Sequence, residues 1–310
     1  MGKDTGITEY FQDNERFADF FNGYVFQGKP VIFPEHLESQ EIRGILKGNT
    51  DRYMYRDILK KRYQGTELML LGIENQTAVH YAMPVRSFVY DGISYQEQLD
   101  RIRKGHQKRR DLTGEEYLSG FGRKDKLIPV ITAVIYFGKK PWDGAKDLFG
   151  MFQMDSIPKE MLPYLNNYQI NLFRVRQDKA DCFRTDIRQC FQFLQKDGDR
   201  KALKSLLEQD ESYRFLSEET FKMISCLSGQ SMLLSEKKKY ETKEGGYDMC
   251  KAFADMKLEG IMEGKLEGKL EGIKAFAKRL LLSGVSMEII IQAIMEENQL
   301  TRQEAEKYIQ

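Results

Sequence analysis

Apolar positions first recur at helical spacing between Glu9 and Phe26, where Phe11, Phe17, Phe20, Phe21 and Val25 share a face and Asp13 is a suitable N-cap. This predicts an amphipathic helix. The pattern then changes period: Asp57 to Tyr63 (DILKKRY), the turn-like Gln64-Gly65-Thr66 and the apolar run Leu68 to Ile73 (LMLLGI) read as a β-hairpin whose second strand is central. From Met83 to about Ile102, Phe88, Tyr95, Leu99 and Ile102 predict a long helix beginning near Pro84, since proline is tolerated in a first turn. The run Leu127 to Phe137 (LIPVITAVIYF), rich in β-branched residues and closed by Gly138, is the clearest buried strand, and Tyr168 to Arg174 is a shorter one.

After residue 175 the signal is helical. Phe183, Ile187, Cys190, Phe191 and Leu194 share one helical face, and helices follow near 199–209 and 218–227. The chain therefore reads as an α/β core over 1–175, a helical extension over 176–235, a polar linker over 236–250 and a helical region over 251–310. That last region opens with a four-residue repeat, Leu258-Glu259-Gly260, Met262-Glu263-Gly264, Leu266-Glu267-Gly268 and Leu270-Glu271-Gly272. A four-residue step advances about 400° on a helix, so leucine and methionine form one drifting stripe and glycine another. Each glycine costs about 1 kcal/mol of helix propensity against alanine, and the repeat reads either as a self-associating helix, and so a route to a homo-oligomer, or as a low-complexity linker. Ala275 to Gln310 reads as two short helices separated near Gly284, with Ser286 and Thr301 as caps.

Composition adds bounds. The chain has 310 residues, 41% of them hydrophobic and 31% charged, which excludes global disorder and a disulfide-stapled mini-domain. No apolar run approaches the ~18 residues that a membrane span needs, and the N-terminus lacks the apolar stretch of a signal peptide, so the expected compartment is the cytoplasm and no membrane partner is expected. Cys182, Cys190, Cys226 and Cys250 form no CxxC pair and the histidines are only His36, His80 and His106, so the sequence offers neither a zinc cluster nor a disulfide framework. Lys and Arg number 48 against 47 Asp and Glu, a net charge of +1 that gives no whole-molecule attraction to nucleic acid.

The chemistry concentrates at the end of the central strand. In LGIENQ, Glu74 and Gln76 point to one face and Asn75 to the other. A carboxylate at the rim of an apolar strand needs a partner, and the paired strand begins with Asp57. Two such carboxylates repel unless one is protonated or a cation lies between them. Oxygen donors without thiolate or imidazole neighbours favour Mg²⁺ or Mn²⁺ over zinc. From spacing alone, a solvated strand end with ordinary polar residues remains the alternative.

The blocks RDILKK, LGIENQTAVHYAMPVRSFVYD and LIPVITAVIYFGKKPW, in this order over roughly residues 10–175, resemble the Rpn family of recombination-promoting, transposase-like nucleases of the PD-(D/E)XK superfamily. The resemblance implies a restriction-endonuclease-like mixed β-sheet core flanked by helices, followed by an all-helical C-terminal region. It implies Mg²⁺-dependent hydrolysis of DNA phosphodiesters, with a role in recombination or transposition. It matches Asp57 and Glu74 to metal-binding acids, with the backbone carbonyl of Asn75 as a further ligand and Asp19 as a weaker acidic candidate. Gln76 falls where the superfamily has lysine, and Arg56 stands where its signature has proline. Glutamine is neither a base nor a cation, so its expected role beside Asp57 and Glu74 is to orient water or a phosphate oxygen, while the metal activates the water.

Around this core, Arg101, Arg103, Lys104, Lys108, Arg109 and Arg110 occur with no acid among them and form a candidate phosphate-contacting run. A solvated helix end favoured by the helix dipole is the other reading of that run. Arg86 and Tyr90, one turn apart, are placed to buttress Glu74 or to reach DNA, and Tyr90 also suits a core position. His80 reads as a structural residue or an auxiliary base, and Trp142 as an anchor. DNA binding that is local and metal-assisted should show a shallow salt dependence. A catalytically silent DNA-binding or oligomeric scaffold on the same fold is the rival expectation.

Overall fold

The computed structural model describes residues 3–40, 43–46, 52–55, 57–64, 66–298 and 301–306. Gly65 at the expected hairpin turn, Arg56 and the last residues of the 251–310 region lie outside them. Asp13 divides the first helix in two. Helix α1 (Lys3–Gln12) ends before it and α2 (Asn14–Phe20) begins after it, with the Asp13 carboxylate accepting the Arg16 N–H at 2.9 Å. A side chain that satisfies the first free N–H groups of a helix starts a new one, so the single helix expected over Glu9–Phe26 is two helices followed by a π-helical turn, Phe21–Val25.

The sheet follows. Strands β1 (Leu37–Ser39), β2 (Arg43–Leu46), β3 (Arg52–Tyr55), β4 (Ile58–Gln64) and β5 (Thr66–Gln76) precede helices α3 (Met83–Arg109) and α4 (Gly114–Ser119), and β6 (Val130–Tyr136) and β7 (Asn171–Arg174) complete the α/β part. Five strands form a mixed sheet in the order β1-β4-β5-β6-β7, while β2 and β3 pair separately as an antiparallel ribbon. The central strand β5 is antiparallel to β4 and parallel to β6, which in turn is parallel to β7. The expected hairpin and buried strand are thus present, and α3 is the crossover that a parallel β5–β6 pair requires.

Register decides what each face carries. Ile58 stands opposite Ile73 and both are buried, so alternation puts Asp57, Leu59 and Glu74 on the other face. On the Ile58 face Lys60 is fully buried, donating to the Gln12 carbonyl and the Asn14 side-chain oxygen at 2.5 Å each, with its Nζ 4.9 Å from the Phe17 ring centroid. A cation at the C-terminal carbonyls of α1 is favoured by the helix dipole. Phe20, Phe173, Phe183 and Phe191 pack ring against ring beside it, with centroids 5.3–5.8 Å apart. Gly23 is required there: a Cβ would lie 2.8 Å from Phe183.

On the other face α3 lies over β6. Thr132 donates to Asp91 at 2.5 Å, Tyr168 donates to the other oxygen of Asp91 at 2.6 Å, and the Gln98 amide brackets both backbone groups of Ile128. Met83, Val134, Tyr136, Trp142, Ile170 and Leu172 fill the remaining space, and the Trp142 indole anchors the loop by donating to the Gly144 carbonyl.

Helices α5 (Ile187–Lys196), α6 (Arg200–Gln209), α7 (Glu218–Ser228) and α8 (Ser231–Ser235) form the extension. Phe183 is buried yet precedes α5, which starts only at Ile187. The segment expected as a linker over 236–250 is packed instead. Tyr247 exchanges both backbone hydrogen bonds with Leu216, and the Tyr240 and Tyr247 rings lie 6.0 and 5.2 Å from that of Phe221. Tyrosine rings in a polar-looking stretch supply the apolar area that its lysines conceal.

Two units result, Met1–Asp248 and Met249–Gln310. In the second, the repeat lies within one continuous helix, α9 (Met249–Leu282), followed by α10 (Met287–Asn298) and α11 (Arg302–Glu306). Ile273, Ala277, Ile290, Ile291, Ile294 and Ala305 form its core, whereas Leu258, Met262 and Leu266 of the repeat are exposed. Gly284 closes α9 at φ +81°, a conformation glycine adopts without a steric cost. Among the described residues no helix is long and apolar enough to cross a membrane.

Burial lowers the Lys60 ammonium to a pKa of about 8, with Asp13 opposing the shift, against an ordinary value of 10.5. The unfolded chain then binds more protons between these values, so this group adds stability as pH rises from about 8 to 10.5. Urea unfolding of wild type and Lys60→Met across that range should show the wild type gaining stability relative to the variant. A difference that does not change with pH contradicts the assignment.

Candidate active site

The parallel and antiparallel neighbours of β5 fix its C-terminal end, where Glu74 pairs with Val134 and Gln76 with Tyr136. Asp57 lies immediately before β4 and accepts the Asn75 backbone N–H at 2.7 Å through Oδ2. That bond fixes the aspartate beside the strand that carries Glu74. The residue of Asn75 seen to act at this point is its N–H, and its side chain is buried on the opposite face. Gln76 is half-buried on the Glu74 face.

Glu74 is fully buried, and its ion-pair partner comes from α3: Arg86 Nη2 lies 3.6 Å from Glu74 Oε2. Arg86 also donates from Nε to the Tyr90 hydroxyl at 3.0 Å, and Tyr90 is itself buried. Burial alone disfavours the Arg86 charge, but Glu74, Tyr90 and Asp57 together outweigh it and hold its pKa above the ordinary value. Burial raises the Tyr90 pKa, and Glu74 and Asp57 add to it while Arg86 opposes. Asp57, Glu74, Arg86 and Tyr90 are therefore one electrostatic group, with two acids, one cation and a neutral phenol that fixes the cation's direction.

Asp19 is elsewhere employed. Its carboxylate accepts the Arg184 and Thr185 N–H groups and the Thr185 hydroxyl at 2.7–3.0 Å, tying α2 to the segment ahead of α5. Its acidity answers backbone donors, and no group of three or more His, Cys, Asp or Glu side chains is arranged to hold a metal ion among the described residues. The donor set offered is thus two carboxylates. Mg²⁺ keeps several waters and takes one or two protein carboxylates together with substrate phosphate, and Asp57 and Glu74 are the residues that would hold such an ion. His80 is half-buried.

The basic run is not at the acid pair. Arg101 to Arg110 occupy the last turns and the cap of α3, about 20–35 Å along the axis from Arg86 at 1.5 Å per residue. Arg101, Lys104, Lys108 and Arg110 are exposed. Arg103 lies 3.6 Å from Asp100 and donates to the Ser119 carbonyl at 3.3 Å, and Arg109 pairs with Asp111 at 2.6 Å. The helix ends with Arg110 in a left-handed conformation, φ 53°.

His106, which the sequence pattern did not single out, organises this end. Nδ1 lies 2.6 Å from Asp111 and Nε2 lies 2.7 Å from Asp125, so one imidazole ties two segments of the following loop to α3. Two acids that flank a histidine five and nineteen residues away carry no local signal, because the loop that brings them together is tertiary. Comparison of the chain with protein-family models, curated proteins and solved structures finds no match.

Both carboxylates favour the doubly protonated ring, with Asp111 the larger cause, and raise the His106 pKa above its ordinary 6.5. The raised value means that this clamp holds at low pH and weakens as pH rises through it. An NMR titration should place the His106 ring above 6.5 and bring it back toward that value in Asp125→Asn. A midpoint unchanged by the substitution contradicts the clamp.

Proposed function

We propose that the chain is a Mg²⁺-dependent DNA endonuclease, Mn²⁺ substituting, with a restriction-endonuclease-like core and a place in recombination or transposition. The observation that carries this reading is the Asp57 carboxylate held by the Asn75 N–H next to the buried Glu74, with Arg86 set against Glu74 and Gln76 two residues on along the same strand. It is supported by the resemblance to the Rpn nucleases in the same residues, and by a mixed sheet whose hairpin presents an Asp and then E-x-Q.

Asp57 and Glu74 would hold the metal, with the Asn75 carbonyl as a further oxygen. When bound, the ion supplies Lewis-acid stabilisation of the phosphoryl oxygens and acidifies a water. The protein's own contribution is positional. The Asn75 N–H sets the direction of the Asp57 carboxylate. Arg86 balances one of the two negative charges, and the remaining deficit admits a divalent cation. Its guanidinium has donors to spare for a phosphate oxygen, with Tyr90 fixing its direction as a positioning residue. The Gln76 amide orients the attacking water or a phosphate oxygen and takes no proton.

A second reading is a DNA-binding scaffold without catalysis. It is favoured by the two-carboxylate donor set and by the pairing of Glu74 with Arg86. Purified protein with supercoiled DNA separates the two. The nuclease reading expects nicking or linearisation with Mg²⁺ or Mn²⁺, none with EDTA, and a rate lowered roughly 10²- to 10³-fold or more in Asp57→Asn and in Glu74→Gln. Arg86→Gln should cost roughly tenfold or more. DNA binding without metal-dependent cleavage, or cleavage indifferent to Asp57→Asn, overturns it.

A further inference from the structure

Between the end of α3 and α4 lies a groove of about 540 Å³ lined by Arg103, His106, Arg110, Tyr117, Leu118 and Gly120 among others. Its setting is strongly cationic. From Arg101 to Lys126 there are nine Lys and Arg against four Asp and Glu, a local net of +5 in a chain whose total is +1. Three of the four acids are also engaged: Asp111 by His106 and Arg109, Asp125 by His106 and the Gly122 N–H, and Glu116 by the Arg123 N–H. Arg103 is held in place, lying so close against Gly120 that a Cβ there would stand 2.6 Å from its Nε. The groove therefore presents positive charge with most of the segment's carboxylates turned to internal work.

The second feature is aromatic. Tyr117 is 71% exposed and its neighbour Leu118 is 85% exposed, so a large flat ring and an apolar side chain stand in water beside guanidinium groups. Cations alone suit any polyanion. A ring among cations suits an unpaired strand, because a duplex keeps its base faces stacked inside while a single strand offers them to an aromatic platform.

We infer that this groove docks an unpaired DNA strand, a base stacking on Tyr117 and adjacent phosphates contacting Arg103 and Arg110. The inference rests on the DNA reading given above and sharpens it. The substrate has a single-stranded part, such as a flap, overhang or displaced strand. Helix α3 then spaces the two activities, since Arg86 and Arg103 are about 25 Å apart along one axis.

The test uses the full chain in EDTA, with fluorescence anisotropy of a labelled thymidine oligonucleotide and of a duplex of the same length. Tyr117→Ala, at an exposed position, should weaken single-strand binding roughly tenfold and leave duplex binding nearly unchanged, while Tyr117→Trp retains it. Arg103→Ala and Arg110→Ala should weaken both and flatten the salt dependence. Single-strand binding unaffected by Tyr117→Ala, or a loss equal for strand and duplex, overturns the proposal. Because binding is read without metal, a groove that fails leaves Mg²⁺-dependent duplex cleavage intact, whereas a nuclease reading that fails leaves Tyr117-dependent strand binding without hydrolysis.

Discussion

Glu74 places a carboxylate at zero exposure in the middle of a mixed sheet, and that burial sets the terms for what surrounds it. A buried charge without compensation costs several kcal/mol, so the strand can carry it only if a cation arrives from outside the sheet. Arg86 arrives from α3, and the helix must then lie over β5 and β6 with its first turns at the strand ends. Tyr90 one turn on, and Asp91 with Thr132 and Tyr168 beyond it, extend the same contact as hydrogen bonds. The charge that serves the proposed chemistry is also what seats the crossover helix on the sheet.

Helix α3 thereby joins two regions of different character. Its beginning balances acids and its end gathers cations, with 27 residues between Met83 and Arg109. A net charge near zero is the sum of these parts. Local field at a surface depends on the charges within a Debye length of about 8 Å at physiological salt, so the end of α3 acts as a basic surface whatever the rest of the chain carries.

Much of this order was readable in the sequence, for definite reasons. The hairpin and the Val130–Tyr136 strand were legible because β-branched runs bounded by turn residues have few other uses, and strand alternation placed Asp57 at the strand that carries Glu74, where it meets the Asn75 N–H. The break at Asp13 is half visible: the residue suits a cap, and here a cap inside an apolar pattern separates two helices. Asp19 misled because acidity on a helix says nothing of what it faces, and its oxygens answer backbone donors that lie some 165 residues away in the chain. The 236–250 segment misled because its lysines mask Tyr240 and Tyr247, which bury themselves against Phe221. The spacing of Arg86 marks it as a partner for Glu74, whereas nothing local marks His106, since its two acids meet it only through the loop's return.

In the proposed site, Asp57 and Glu74 together hold one divalent cation. Mn²⁺ binding followed by electron paramagnetic resonance tests it without reference to any substrate. Wild-type protein should bind one equivalent, displaced by Mg²⁺, and Asp57→Asn and Glu74→Gln should each lose that binding while remaining folded by circular dichroism. A wild-type protein that binds no Mn²⁺, or variants that bind it as the wild type does, would contradict the claim.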